Sequence, residues 1–525
     1  MNIPISLFPI LLILITNLGL SQNTHTYWEK TYGVGSGHKI FENEGGASGP
    51  TYTVVGNSSG IVFMNIDSDG NQLWGNRFSG GSVEDVVMTP DGGYATVGSS
   101  SSYSYSMRNL YVTKISPSGS LSWSLSFGGG PGSTHDTYGK GIIITTDNCI
   151  VVSGSSNAFG SNPTRTIVAK IDLWGNILWS KTYYGPWLSK AGHAVAAADS
   201  GACVVACYGG IGAGNVDFAL LKIDSDGNLL WSKSYGGVGQ DVPYSMIRTT
   251  DGGYLLGGFS NSFNSISGNN IYLVKTNSEG DTMWTRLIGN GISNQIAFSL
   301  VELTDGFVIG SHNGTQGGFR IIKTDPYGFI QWHRLIAPVG AGPHYAYSIR
   351  PISDGFLITG TRGGYCGHTF GISKVDTQGL NGCETYDTLY CTNTNTLVNN
   401  ANQVEDTANL ILYPHSPNTS GWTGTTMTHC MTIITGTDKI TPFIEPLLYP
   451  NPVKGKFSLR LGGAWEAEFM KTIEIFDLAG RNLTNKVSVT ASEPIQVECD
   501  KLSPGLYLLR ISIRTEVHTL KFVIE

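Results

Sequence analysis

Charge is scarce in this chain of 525 residues. Asp, Glu, Lys and Arg together make up 14%, about half of the usual ~25%. Long solvated helices and coiled coils need dense surface charge, and that shortage excludes both. The formal net charge is -7 and no Lys/Arg cluster occurs anywhere, which argues against nucleic acid or an anionic membrane as a partner. Proline is sparse too, at 21 residues against 69 glycines. Beyond the N-terminus no apolar run approaches the ~18 residues of a membrane span. No Cys-x-x-Cys pair and no His at ligand spacing offers a zinc site. Hydrophobic residues at 40% are enough to fill a core, so wholesale disorder is excluded.

The one long apolar run, Ile3 to Leu20, is broken by Pro4, Pro9, Thr16 and Asn17 and followed by Gly19 and Ser21 at the small-residue spacing of a signal peptidase site. We expect residues 1–21 to be a signal peptide handled by the Sec machinery. No Lys or Arg precedes the run, and an uncleaved anchor is the competing reading. Eight cysteines are unevenly spread. Cys149, Cys203 and Cys207 sit in strand-like stretches and read as buried free thiols. Cys366, Cys383, Cys391 and Cys430 cluster late, where an oxidising compartment permits a disulfide whose pairing sequence does not give.

Self-similarity dominates residues 28–380. The element Lys-x-Asp-x-x-Gly-x-x-x-Trp reads KIDLWGNILW at Lys170 to Trp179 and KIDSDGNLLW at Lys222 to Trp231. Looser copies end at Trp74, Trp123, Trp284 and Trp332, always with Gly four residues before Trp. A seventh start at Lys374 carries Cys383 where Trp would stand, and Trp28, in YWEKTYG, is the missing seventh Trp placed ahead of all the repeats. Each copy follows a turn and strand such as TPDGGYATVG at Thr89 or TTDGGYLLGG at Thr249. Asp caps these turns and Gly supplies the positive φ they need. Apolar stretches of five to eight residues between them read as strands. Four short strands per ~50 residues is one propeller blade. The expected fold is therefore all-β: a seven-bladed β-propeller over residues 22–380, closed by the Trp28 strand completing the last blade. The repeated Trp resembles the docking tryptophan of pyrroloquinoline-quinone-type propellers, which packs between adjacent blades. It is less similar to the sialidase Asp-box, and the resemblance implies blade packing rather than either family's chemistry.

Chemistry is harder to find. The Asp67/Asp69 and Asp224/Asp226 loops suggest calcium, but equivalent positions hold Ser116/Ser118, Asn277/Glu279 and Asp325/Tyr327, so a capped hairpin turn is the better account. Gly56 to Gly60 matches Gly-x-Ser-x-Gly but is followed by a strand and not a helix. The glycine-rich loops at Gly33 and Gly209 likewise lack a following helix to hold phosphate. By repeat position, the segment leading into each innermost strand carries Asp85, Asp136, His193, Asp241, Gln295 or His344. These differ from blade to blade, as a ligand site on a ring or an unconstrained surface would. We expect no cofactor, no metal and no catalytic residue.

Residues 381–444 are rich in Asn and Thr and read as a spacer. Charge then rises: 20 of the last 81 residues are charged, against 51 of the preceding 444, which marks a domain boundary. Residues 445–525 alternate as strands of a small Ig-like β-sandwich. YPNPVKGKF at Tyr449, IEIFDLAGR at Ile473, LSPGLYLLRI at Leu502 and the terminal TLKFVIE are similar to the type A C-terminal sorting domain of the type IX secretion system. The motif residues are Pro450, Asn451, Pro452, Gly480, Arg481, Gly505 and Tyr507. The resemblance implies passage through the periplasm to the outer face of a Gram-negative cell and a partnership with the type IX machinery. The reading for the whole is an exported, monomeric, non-catalytic propeller that binds glycan or protein. The alternative is a secreted propeller enzyme, either a glycoside hydrolase or lyase or a quinoprotein-like oxidoreductase.

Overall fold

The computed structural model describes residues 25–381, except for loop segments within 47–48, 101–107, 129–134, 159–163, 185–188, 210–215, 264–267, 290–293, 314–317, 337–343 and 364–367, and beyond 381 chiefly the strands. The expected signal peptide and the late cysteine cluster's side chains lie outside the described residues. The chain falls into two units, Tyr27–Thr432 and one that holds Ile433–Glu525.

The first unit is a seven-bladed β-propeller. Blade 4 is representative, with antiparallel strands Ser189–Ala197, Cys203–Gly209, Asp217–Ile223 and Leu229–Gly236 in that order. The first strands of successive blades touch one another in an unbroken circle that returns from blade 7 to blade 1, so they line the axis. Each gap between neighbouring blades is filled by its own apolar cluster, seven in all. The cluster between blades 4 and 5, for example, joins Val204, Phe218 and Leu220 to Tyr254, Leu256 and Tyr272. In blade 7, Tyr345–Ile352, Gly355–Arg362 and Thr369–Asp376 are completed by the N-terminal strand His25–Val34, with Trp28 opposite Lys374. The two ends of the repeat are thereby sewn together by a backbone ladder.

The recurring tryptophans hold neighbouring blades in register. A Cβ built on Gly70 would lie 2.6 Å from the Trp28 ring, and the same crowding pairs Gly119 with Trp74, Gly175 with Trp123, Gly227 with Trp179, Gly280 with Trp231, Gly328 with Trp284 and Gly379 with Trp332. Each indole thus lies over the turn glycine of the next blade round, and Trp28 closes the circle onto blade 1. These glycines also have φ between 75° and 93°, so the position demands glycine for its backbone as well as for the ring above it. Hydrogen bonds fasten the contact: Trp123 Nε1 donates to the Leu173 carbonyl at 3.0 Å and Trp179 Nε1 to that of Ser225 at 2.8 Å. The turn itself is fixed by its first residue, as where Asp224 Oδ1 accepts the amides of Asp226 and Asn228 at 2.9 and 2.7 Å. Those amide bonds use the carboxylate that a calcium ion would need.

In five blades the lysine that opens the repeat is buried and reaches the acid in its own blade's preceding turn: Lys114 to Asp91, Lys170 to Asp147, Lys275 to Asp251, Lys323 to Asp305 and Lys374 to Asp354, at 2.6–3.0 Å; in blade 4, Lys222 instead faces Glu279 of the next blade at 3.5 Å. Blade 1 has Asn65 in place of the lysine and no acid in its Gly45–Pro50 turn, so the pair is lost together.

After Asp376 the fourth position of blade 7 is already taken by the N-terminal strand, and the chain moves outward. Glu384–Thr385 pairs with the outer strand of blade 6, and Tyr390–Thr392, Leu397–Asn400, Val404–Thr407, Ile411–Tyr413 and Thr419–Gly421 do the same for blades 5, 4, 3, 2 and 1. Thr426–Ile434 then lies beside the N-terminal strand in blade 7. The stretch read from sequence as a spacer therefore runs once round the propeller, against the direction of the blades, adding a fifth strand to each.

In the second unit the strand order is Val487–Val489, Lys471–Phe476, Gly505–Ile513, Glu516–Ile524, Leu447–Lys454, Lys456–Arg460, Ile495–Glu498. Leu447 to Tyr449 pair antiparallel with Lys456–Arg460, whereas Val453 pairs parallel with Ile524. The register breaks between them at Pro450-Asn451-Pro452, where two residues without an amide proton cannot continue a ladder.

The ring closure yields two predictions. Trp28 is fully buried while Trp74 is 39% exposed, so Trp28→Ala should lose about 3–5 kcal/mol and Trp74→Ala clearly less in thermal unfolding. Equal, small losses would refute closure through the N-terminal strand. Next to Trp28, Glu29 is fully buried and faces Arg362 Nε at 3.2 Å. Burial pushes its carboxyl up to about 7, with the Arg362 charge pulling the other way. The folded protein therefore holds a proton that the unfolded chain releases near pH 4.5, and this stability is lost as pH rises towards 7. Its size is of order 3 kcal/mol. Denaturant titrations at pH 5 and 8 should show wild type losing stability with pH, and Glu29→Gln should flatten that slope.

Candidate functional site

All seven first strands carry a bulge at the same place, where one residue has no partner on the second strand. The register skips between Gly37 and Lys39, Val83 and Asp85, Gly139 and Gly141, Gly192 and Ala194, Pro243 and Ser245, Ala297 and Ser299, and Ala346 and Ser348. The bulged residues are His38, Glu84, Lys140, His193, Tyr244, Phe298 and Tyr347. A bulge re-aims a side chain that regular alternation would place elsewhere, and here seven of them meet around the propeller axis.

From His193 round to Lys140, neighbours in this circle touch one another. His38 stacks on Tyr347 with ring centroids 5.0 Å apart; Tyr347 meets Phe298 edge-on at 5.3 Å; Phe298 meets Tyr244 at 5.2 Å; Tyr244 meets His193 at 5.0 Å. On the other side, Lys140 Nζ pairs with Glu84 Oε1 at 3.2 Å, and His38 Nδ1 lies 3.3 Å from the Glu84 carbonyl. Tyr345 stacks between Tyr347 and His312, so His312, Tyr345, Tyr347 and His38 make one pile of near-parallel rings. The axis is thus aromatic on one arc, from His193 to Tyr347, and charged on the other. Burial, reinforced by Lys140, lowers His193 to about 3, and burial also lowers His38. Both imidazoles are neutral at neutral pH.

The six residues singled out from sequence fall in different places. His193 is one of the bulged seven. Asp85 stands one residue past a bulge and straps three blades together, accepting from Lys39 Nζ at 2.9 Å and from the Ile142 amide at 3.3 Å. Asp136 precedes its strand and is taken up by the Arg108 amide at 2.7 Å and the Tyr138 hydroxyl at 2.8 Å. Asp241 and Gln295 open the first strands of blades 5 and 6, His344 immediately precedes that of blade 7, and all three are buried. Asp241 accepts from the Gly237 amide at 2.9 Å and Ser262 Oγ at 2.7 Å; burial pushes its carboxyl up, while these bonds and the neighbouring Asp217 oppose the rise. Cβ crowding at Gly236 brings Asp217 and Asp241 to the same spot, two buried acids in contact and not spread across an open mouth.

Sequence reasoning missed six of the seven bulged residues, yet a signal existed. Glu84, Lys140, His193, Tyr244, Phe298 and Tyr347 each stand five residues before the start of their blade's turn element, at Thr89, Thr145, Ala198, Thr249, Leu303 and Ile352. Among the described residues no group of three or more His, Cys, Asp or Glu is placed to hold a metal.

In the C-terminal unit, Asp477 takes the Arg481 amide at 2.9 Å and its Nε at 2.6 Å, which closes the Asp-Leu-Ala-Gly-Arg turn, and Tyr507 donates to the Ser503 carbonyl at 2.7 Å. Gly505 opens the long strand opposite Ile524, while Gly480 lies outside the described residues.

No curated protein matches the chain. Among solved structures it is similar to a GH93 α-L-arabinofuranosidase of Fusarium graminearum in complex with arabinobiose, at 11% identity and TM-score 0.36, over 55% of this chain and 91% of that one. It is similar to a Trypanosoma rangeli sialidase in complex with sialic acid at 10% identity and TM-score 0.36, over 91% and 88%. Dimeric latent PorU from Porphyromonas gingivalis matches at 14% identity and TM-score 0.15, over 50% and 32%. The family model for the secretion system C-terminal sorting domain matches residues 447–525. With the turn and strand motifs of that segment in place, the chain is a seven-bladed β-propeller carrying a type IX C-terminal sorting domain, exported by that system to the cell surface or beyond.

Proposed function

We propose that the exported propeller is a non-catalytic binding protein whose ligand, a glycan or a protein, meets the axial ring of bulged side chains. The observation that carries this reading is the ring itself. The scaffold repeats the same turn, lysine and tryptophan from blade to blade, yet the bulge position carries His, Glu, Lys, Tyr and Phe in an order that repeats nothing. Variation at inward-aimed positions on a regular frame supports recognition at that place. Two lysine–carboxylate pairs, Lys140–Glu84 and Lys39–Asp85, supply hydrogen-bonding groups there.

Two experiments test the parts separately. Deleting residues 445–525 should leave the protein in the periplasm, as shown by fractionation; surface delivery of the truncated form would sink the sorting role. A thermal-shift screen of the secreted protein against oligosaccharides, calcium and pyrroloquinoline quinone should give a saccharide hit. A ligand at 100 times its Kd stabilises by about 2.7 kcal/mol. Turnover of a bound saccharide would replace the binding reading with the hydrolase or lyase, a quinone hit would point to the oxidoreductase, and silence would shift the search to protein partners captured at the cell surface.

A further inference from the structure

We propose that the axial ring is a subsite for the end of an uncharged oligosaccharide chain, with Tyr244 and Phe298 packing against a sugar ring and the Glu84–Lys140 pair hydrogen-bonding its hydroxyls. The proposal rests on the binding reading above and names its ligand. Three observations lead to it.

The first is exposure. Many large aromatic side chains of the blade cores, among them Tyr32, Tyr111, Tyr183, Tyr235 and Tyr272, are fully buried, whereas Tyr244, Phe298, Tyr345 and Tyr347, around the axis, stay half-buried although they pack on one another. Aromatic area left open inside a concave site is what a ligand covers. The second is charge. Lys39, Lys140, Glu84 and Asp85 sum to zero, each lysine already faces a carboxylate, and His38 and His193 are neutral. No unpaired cation is left among them for the carboxylate of a uronic or sialic acid. The pairs can still donate and accept, as the hydroxyls of a neutral sugar require. A sugar ring has apolar C–H faces and a polar hydroxyl rim, which matches a mouth that is aromatic on one arc and ionic on the other.

The third is size. The ring-to-ring spacings along the aromatic arc are 5.0–5.3 Å. Seven positions at that spacing would describe a circle about 12 Å across between ring centres, less the width of the rings themselves. An α-helix of about 10–12 Å diameter does not fit inside it. The occupant is therefore a chain end and not a folded element of a partner.

The test is calorimetric titration of the secreted protein with cellohexaose, mannohexaose and laminarihexaose, and with hexagalacturonate and 3′-sialyllactose. At least one uncharged hexasaccharide should bind, and the two acidic ligands should bind at least tenfold more weakly or not at all. Tyr244→Ala and Glu84→Gln should each weaken binding tenfold or more, while Tyr244→Phe, which keeps the ring and the fold, should stay within threefold of wild type. Melting temperatures of the variants separate lost binding from lost folding. Trp174→Ala provides the decisive contrast, because Trp174 is 81% exposed in a turn at the far end of its blade's third strand. If it abolishes binding while the ring variants do not, the subsite is overturned and the binding reading stands. Tighter binding of the acidic ligands overturns the proposed chemistry, and a wild type that binds no saccharide overturns both the subsite and the glycan half of the functional reading.

Discussion

An indole lying on a glycine, repeated seven times, is the contact on which the rest of this propeller depends. It works because two unrelated demands meet at one residue. The turn needs a left-handed backbone, and the next blade's tryptophan needs a surface without a side chain. Glycine satisfies both, and at Trp28, Trp123 and Trp179 the indole Nε1 also donates to a carbonyl of the same turn. Blade spacing is thus set at the outer strands, while the seven apolar clusters fill the gaps behind them. Because Trp28 comes from the far end of the chain, the last such contact is also the one that turns an array into a ring.

A frame fixed at its periphery leaves its centre free to vary. The bulges belong to the frame, since all seven blades have one, but the side chains they aim inward do not. His38 and Glu84 on one arc and Tyr244 and Phe298 on the other are compatible with the same backbone because they pack on each other round the axis and not into the blade cores. Rigidity outside and chemical diversity inside is the division of labour expected of a binding scaffold.

How much of this was legible depended on whether the signal ran along the chain or across it. The Asp-Gly turns, the Gly-to-Trp spacing and the displaced Trp28 are local patterns, and they were enough for the blades and their closure. The sorting segment was legible for the same reason: Pro450, Arg481 and Tyr507 lie within short contiguous motifs. The axial ring was not, because a bulge shifts register by one residue and no single residue type recurs at all seven positions. Asp85 was picked out where its neighbour Glu84 is the bulged residue, and Asp241, Gln295 and His344 stand three residues before the bulges at Tyr244, Phe298 and Tyr347. The encircling strands of 384–434 escaped entirely. Pieces of two to four residues such as Glu384–Thr385 and Leu397–Asn400 pair through their backbone at a sheet edge, and such pairing asks for no apolar alternation.

That encircling segment bears on how the molecule comes apart. Its seven strands are threaded in series, and the one nearest the C-terminus, Thr426–Ile434, is also the longest and lies against the N-terminal strand that closes blade 7. Tension applied through the C-terminus reaches that strand first, and the short pieces on blades 1 to 6 behind it can yield one at a time. A pull from the end that carries the sorting domain is therefore met first at the longest of these strands and then by a succession of smaller ruptures along the short pieces on blades 1 to 6.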